Sequence, residues 1–400
     1  MEKRNGYMVG NPAILKKINM ARVMHQLRFN GPASRAELSR RTGLDAKTLT
    51  NVSQTLLEKG LIGAQDTVVV GRGRPAEIIS IQPDAALGIG VDLGAQQVTG
   101  VVIDLAGNVR AHFREEFDSP KDKKYLLKKT EGIVLKLVKS IDERLQKRIE
   151  AIGFCIPGFL DRGQGLVRES VNIEGFKNVP VGDIFQKQFQ YPVILEESSR
   201  MMAMAELWFG KRTTESHFIC VDLGVGIGMG IVHQGLLYRG AREKSGEIGH
   251  MVVEPGGKRC SCGMQGCLET VASGKALMKM ADEIALAKYG ITQTGAGGIY
   301  QAAMAGDVKA RNLFEKAGRS IGIAVANVIN LFDPDFVVLN GGLVRAGELM
   351  IKPLKETVAT HCIAGDNCPV EVSELGELAG AMGAAMLPLR SYFEFEDIRF

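Results

Sequence analysis

Nowhere does this 400-residue chain run to the roughly 18 uninterrupted apolar residues that a membrane-spanning helix needs. Its opening, MEKRNGYMVG, leads into no apolar segment followed by a cleavage site. Both absences argue against a membrane protein and a secreted precursor, and the expected location is the cytoplasm. There is no even set of cysteines either: seven in a chain this long is a poor basis for a secreted disulfide framework. Nor is there a large excess of one charge, since 49 Lys and Arg face 45 Asp and Glu. What is present is a 45% hydrophobic, 24% charged composition with material for a sizeable core and two or three domains.

The small net charge of +4 is unevenly placed. Residues 1–80 hold 13 Lys and Arg against 6 Asp and Glu, a balance of +7, and the remainder is mildly acidic. A basic head on an acidic body suits a polyanionic partner for the head alone.

The head has the grammar of a helix pair. In SRAELSRRTGLDAKTLTNVSQTLLEKGLI, Ser34 and Glu37 form a capping-box pattern, Gly43 is a stop, and Asp45 can cap a second helix. In that helix Leu49, Val52, Leu56 and Leu57 recur at helical spacing, whereas Lys47, Thr48, Thr50, Asn51 and Gln54 project elsewhere. This is the helix-turn-helix pattern, whose second helix enters the major groove. A polar solvated face on an ordinary helical hairpin would look the same. The next segment separates the two: TVVV and AEIISI flank GRGRP, predicting a β-hairpin wing that carries Arg72 and Arg74 toward phosphates or a narrow minor groove. With Arg35 at the start of the first helix of the pair, these residues form the expected contact set for double-stranded operator DNA. The preceding NPAILKKINMARVMHQLRFNG places Ile14, Ile18, Ala21, Val23 and Leu27 near helical spacing and should supply the domain's first helix.

From about Ala85 the pattern becomes glycine-punctuated apolar runs alternating with charged helical stretches, which reads as α/β. ALGIGVDLGAQQVTGVVIDLAGNVRAHFRE predicts three strands joined by turns, and HFICVDLGVGIGMGIVHQGLLYRG repeats the layout. Such strings arise by chance, but matching strands on either side suggest two similar lobes with a ligand cleft between them.

GHMVVEPGGKRCSCGMQGCLE gathers His250, Cys260, Cys262 and Cys267 within 18 residues. Three thiolates and an imidazole make a tetrahedral zinc set that leaves no position for an activated water, so the expected Zn2+ is structural. Free reduced cysteines are the alternative. Glu247, His250 and Glu269, fixed beside this loop, are rigid donors and acceptors of the kind sugar hydroxyls need.

These residues resemble the ROK family of repressors and sugar kinases over nearly the whole chain. EIGH followed by CSCGMQGCLE matches its ExGH and cysteine-loop motifs, and CIPGFLDRGQGLV with VNIEGFKNVPV matches its cleft signature. The winged head aligns the chain with the family's regulators, since its kinases generally lack one. The resemblance implies an α/β body with the actin-like, hexokinase-like (ribonuclease H-like) two-lobed fold behind an N-terminal winged helix-turn-helix domain. Expected bounds are 1–82 for the head, 83–200 for the first lobe and 201–384 for the second, with a C-terminal helix at about 385–400 packing back on the first lobe. It makes His250, Cys260, Cys262 and Cys267 the zinc ligands and adds Asn172 to Glu247, His250 and Glu269 as sugar contacts.

The departures bear on activity. The family's kinases carry Asn-Asp-x-Asn before the helix, the aspartate being the general base. Here PVILEESSRMMAMAE puts Glu197, Ser198 and Arg200 at those positions. Losing a positioned base costs on the order of 100- to 10,000-fold in rate. Ala95, Gln96, Gln97 and Val225 replace hydroxyl-bearing residues of the nucleotide loops, and phosphoryl transfer depends on such positioning. LNGGLV, with Gly341 and Gly342, still resembles the adenosine-side motif. Arg200 either meets an anionic group on the effector or pairs with Glu196 or Glu197.

The expectation is a sugar-responsive regulator, a repressor of carbohydrate-utilisation genes and not an enzyme. It would bind a sugar or sugar phosphate through Asn172, Glu197, Ser198, Glu247, His250 and Glu269, and act as a homodimer or homotetramer. A sugar kinase that kept its head and works through Glu197, and a body that docks a sugar-transport protein, are the alternatives.

Overall fold

The computed structural model describes residues 12–68, 76–117, 122–170, 172–211, 217–280, 286–291, 295–363 and 368–394. Its first helix, α1 (Pro12–Asn30), buries Ala21, Val23, Met24 and Leu27. Ile14 and Ile18 are only half-buried, because the body and the next helices cover the C-terminal half of α1. A short strand, β1 (Ala33–Ser34), leads into α2 (Arg35–Thr42). Ser34 Oγ accepts from the Glu37 amide at 3.2 Å, and Gly43 ends the helix at φ 71°, a conformation glycine adopts without strain. The other half of the expected capping box does not form, since the Glu37 carboxylate pairs with Arg41 one turn on.

Asp45 caps α3 (Ala46–Glu58), accepting from the Thr48 amide at 2.9 Å and the Thr48 hydroxyl at 2.6 Å. Leu49, Val52 and Leu56 of α3 are buried and Leu57 is half-buried. Antiparallel β2 (Ile62–Val68) and β3 (Ala76–Ile81) follow, with β1 added to β3. The turn expected to carry Arg72 and Arg74 lies outside the described residues.

The body begins with the expected antiparallel meander of β4 (Leu87–Leu93), β5 (Gln97–Asp104) and β6 (Val109–Glu116). After α4 (Lys123–Lys139) and the short α5 (Glu143–Gln146), β7 (Ile149–Ile156) pairs parallel to β4. A small antiparallel sheet of β8 (Phe159–Asp161), β9 (Leu166–Glu169) and β10 (Lys177–Val179) comes next. Then α6 (Val181–Phe189) and β11 (Val193–Glu197) complete a five-stranded sheet in the order β11-β7-β4-β5-β6.

The second half repeats this plan. Past α7 (Ser198–Phe209), the strands β12 (Phe218–Leu223), β13 (Ile227–His233) and β14 (Leu236–Tyr238) form another antiparallel meander. The segment to β15 (Phe336–Asn340) contains α8 (Glu269–Ala272), α9 (Gly274–Met280), α10 (Gly295–Met304) and α11 (Val308–Phe332). Finally α12 (Glu348–His361), β16 (Val370–Val372) and α13 (Ala379–Leu389) follow. The order β14-β13-β12-β15-β16 is that of the first sheet, strand for strand.

The joining helices are exchanged. α7 follows the first sheet but packs on β12 and β13, whereas α13 follows the second sheet but packs on β4, β5 and β7, and the two helices pack on each other. The expected joins at 200 and 384 therefore fall inside helices, and the C-terminal helix starts earlier than expected, at Ala379. Surrounded by sheet and helix, α13 can be apolar all round, and every residue from Ala379 to Met386 is buried. The glycines that resemble phosphate loops make this packing possible: a Cβ on Gly90 would stand 1.9 Å from Ala381 O of α13, and one on Gly230 would stand 2.6 Å from Ser199 O of α7. Among the described residues no helix is long and apolar enough to cross a membrane.

Candidate functional site

On α3, Lys47, Thr50, Asn51 and Gln54 are exposed at i, i+3, i+4 and i+7, a single face opposite the buried leucines. Thr48 is half-buried, and its hydroxyl bonds to Asp45 rather than projecting with the others. The Thr50 hydroxyl turns back to Ala46 O at 2.7 Å, and Gln54 Nε2 donates to Glu58 at 3.1 Å. Arg35 pairs with Glu77 on β3, which ties the helix pair to the hairpin.

The two VDLG strings place Asp92 and Asp222 near the C-terminal ends of β4 and β12, close enough for the two carboxyls to feel each other's charge. Burial raises Asp92 to about 6, with the Cys155 thiol opposing. Burial raises Asp222 to about 8, and the charges of Glu197 and Asp92 add to it, so this carboxyl keeps its proton at neutral pH. The amides of Gly94 and Gly224 close their own turns, donating to Gln97 O at 2.9 Å and Gly226 O at 3.0 Å. Gln97 Oε1 accepts from Arg114 at 2.7 Å, and Gln96 reaches across to Met278 at 3.9 Å.

The residues expected to meet sugar converge from both lobes. Asn172 Nδ2 and Glu269 Oε2 stand together over Gly226, where an added Cβ would lie 2.7 and 3.0 Å from them. Glu269 also accepts from the Ile227 amide at 3.3 Å. Asn172 Oδ1 is buried with no hydrogen-bond partner among the described residues, as an atom awaiting a ligand donor would be. Glu247 lies 3.8 Å from His250 Nε2, and burial raises its pKa while His250 and Arg200 oppose.

Ser198 is buried at the first position of α7, beside the Cys155 thiol. Glu197 caps that helix, accepting from the Ser199 amide at 3.0 Å, the Ser199 hydroxyl at 2.5 Å and the Arg200 amide at 3.1 Å. Burial raises its pKa, and these bonds hold it down. A carboxylate committed to three donors is poorly placed to take a proton from a sugar.

Arg200 takes the ion-pair alternative, and its partner is Glu196 at 3.3 Å. The arrangement extends beyond what the sequence indicated. Fully buried Glu196 is also reached by Arg239 of the second lobe at 2.9 Å and Arg162 of the first-lobe hairpin at 3.3 Å. Burial alone would raise Glu196, but the three guanidiniums hold it below its usual value. The three arginines are far apart in the chain, so no local pattern marks them as a group.

His250 Nδ1 faces Cys260 Sγ at 3.6 Å, Cys262 Sγ faces Cys267 Sγ at 3.7 Å, and all four ligand atoms lie within 4.8 Å of one another. Tetrahedral zinc at ordinary bond lengths sets sulfur–sulfur edges of about 3.8 Å and sulfur–nitrogen edges of about 3.6 Å. The donor set fits the ion. The imidazole thus turns one nitrogen to the cysteines and the other toward Glu247.

Two sheets of identical strand order around a cleft, joined by exchanged helices, define a two-lobed protein of the actin-like, hexokinase-like class. The chain belongs to the ROK family, whose model matches residues 88–391. It is 28% identical to the xylose repressor of Caldicellulosiruptor bescii over 401 aligned residues, covering 97% of this chain and all of the relative. Among solved structures, a ROK family transcriptional regulator described as a homolog of the E. coli MLC protein superposes with TM-score 0.77 at 26% identity, covering 95% of this chain and 97% of that one. A ROK glucokinase from Streptomyces griseus, solved with glucose and AMPPNP, gives TM-score 0.66 at 29% identity, covering 99% of the kinase but 76% of this chain.

Proposed function

We propose that this chain is a sugar-responsive repressor of carbohydrate-utilisation genes that has no kinase activity. The observation that carries the reading is the exposed Lys47–Thr50–Asn51–Gln54 face of α3, set on a sugar-kinase-like body whose base position is Ser198. The head, residues 1–82, acts as a winged helix-turn-helix. Lys47, Asn51 and Gln54 meet base edges in the major groove, and Thr50 and Thr48 lie at the border of that contact. Arg35, Arg72 and Arg74 meet phosphates or the minor groove. The two lobes close on a sugar or sugar phosphate held by Asn172, Glu247, His250 and Glu269, with Glu197 and Ser198 on the wall. Zinc on His250, Cys260, Cys262 and Cys267 fixes the loop that aims His250 and Glu269, and supplies no chemistry of its own. The protein works in the cytoplasm as a homodimer or homotetramer, because paired half-sites call for paired heads.

The test is fluorescence anisotropy on DNA flanking the protein's own gene at fixed salt, titrated with D-xylose and a panel of other sugars and sugar phosphates. Release by one compound is the expected result. Tight binding that no compound alters favours a body that docks a sugar-transport protein. Absence of specific binding, with sugar-dependent ATP turnover lost in Glu197→Gln, favours a kinase.

A further inference from the structure

Helix α7 touches all three parts of the molecule. Its first turn is fixed in the cleft: Arg200 holds Glu196 at 3.3 Å and donates to Glu243 O of the second lobe at 2.7 Å, while Arg162 and Arg239 grip the same Glu196 from either lobe. Its last turn is fixed on the head. Arg28 of α1 donates to Trp208 O at 3.1 Å, with its guanidinium carbon 5.3 Å from the Phe209 ring and 5.6 Å from the Phe29 ring. A cation on the terminal carbonyls of a helix also meets the negative end of its dipole.

The aromatic contacts continue across the junction. Phe29 lies 5.2 Å from Trp208 and Trp208 lies 5.1 Å from Phe393, ring centre to ring centre. Gly107, in the first-lobe turn after β5, leaves room for the guanidinium, since a Cβ there would stand 2.3 Å from Arg28 Nη2. Met201, Met204, Leu207 and Trp208 share one buried cluster with Val23, Met24 and Leu27 of α1. The helix is 12 residues long, and its two anchors, Arg200 and Trp208, stand about 12 Å apart along a rigid axis.

We propose that α7 is the strut that couples the cleft to the DNA-binding head, with Arg28 as the positioning residue that reads its far end. Displacement of the first turn, where Glu196 and the sugar-facing residues meet, reaches α1 as a change in what the Trp208 carbonyl and Phe209 offer to Arg28. This rests on the repressor reading and adds the route by which the two ligands sense each other. Packed side chains and a rigid helix with two anchored ends are the physical requirement for such coupling.

The experiment is a double-mutant cycle in the full chain. Operator affinity is measured by anisotropy for the parent, Arg200→Gln, Arg28→Met and the double variant, with circular dichroism and zinc content confirming each fold. Arg200→Gln should shift operator Kd by about 5-fold or more, within the usual range of allosteric coupling. In the Arg28→Met background that shift should shrink to under about 2-fold, as non-additivity between coupled sites requires. Trp208 is the sole tryptophan, so its emission reports the junction directly and should move in Arg200→Gln. If Arg200→Gln does not fold, Arg239→Gln, which frees Glu196 from the second lobe, takes its place. Equal shifts in both backgrounds, or unmoved Trp208 emission, overturn the strut. A parent that binds no operator while Trp208 emission still answers Arg200→Gln sinks the repressor reading and leaves the strut standing.

Discussion

The two lobes have one strand order but different duties. In the first, Asp92 sits beside Cys155 of the neighbouring parallel strand, and no cysteine cluster follows its meander among the described residues. In the second, Asp222 sits beside Asn340, and the meander runs on into the zinc-type loop carrying His250 and Glu269. Within one scaffold, then, the sheets supply the frame and the excursions after them supply the chemistry. The glycines teach the same lesson. Those in β4 and β13 exist for helix packing, so the phosphate-loop look of both stretches reflects architecture before it reflects ligand.

The strongest way to break this comparison is at a shared packing contact. Gly90→Ala drives a methyl against Ala381 O of α13, a backbone atom that cannot step aside. Loss of folded protein, or destabilisation above about 4 kcal/mol, is expected in urea titrations. Next comes the feature unique to the second lobe. Metal removal by a chelator, or Cys267→Ser, should lower Tm by several degrees and abolish the sugar response, leaving head-only DNA contacts intact. Zinc content by mass spectrometry read beside the melts would check it.

A subtler distinction separates the two aspartates. Each has a folded pKa raised above its usual 3.8, so the folded state binds more protons than the unfolded chain. Their contribution is full below about pH 4 and is lost as pH rises, through about 6 for Asp92 and about 8 for Asp222. Urea midpoints should therefore fall between pH 6 and 8 chiefly on account of Asp222, and Asp222→Asn should flatten that interval. Asp92→Asn should flatten the lower one. The smallest effect is a gain: Gly132 in α4 has nothing within 4 Å of an added Cβ, so Gly132→Ala should stabilise by about 0.5–1 kcal/mol. Gly322 of α11 faces Leu354 O at 2.6 Å from the same test atom, so the same change there should do the opposite.

Much of this was legible in the sequence wherever the cause is local. Ser34, Gly43 and Asp45 mark helix ends by hydrogen bonds within four residues, and both meanders follow from alternating apolar runs and turn glycines. The gathering of His250 with Cys260, Cys262 and Cys267 was legible for the same reason, since its members are close in the chain. The rest depends on a choice between competing local partners, or on partners far away in sequence. Glu37 chose Arg41 over the Ser34 amide, and Thr48 turned inward to Asp45, because a side chain with two nearby partners is decided by geometry. Arg162 and Arg239 on Glu196, and Arg28 on the Trp208 carbonyl, have no spacing to betray them. The start of α13 at Ala379, ahead of the expected position near 385, has no side-chain cap to mark it.

The exchange of α7 and α13 bears on how the molecule is made. The face of β4, β5 and β7 that forms early in synthesis has no cover of its own and stays open until Ala379–Leu389 arrives. Until then the nascent chain carries an unclosed apolar surface, the kind of intermediate that aggregates or recruits chaperones. The lobes are consequently not two modules that fold in turn but the halves of one clasp, each locked by a piece of the other. A chain cut between them should yield no folded half.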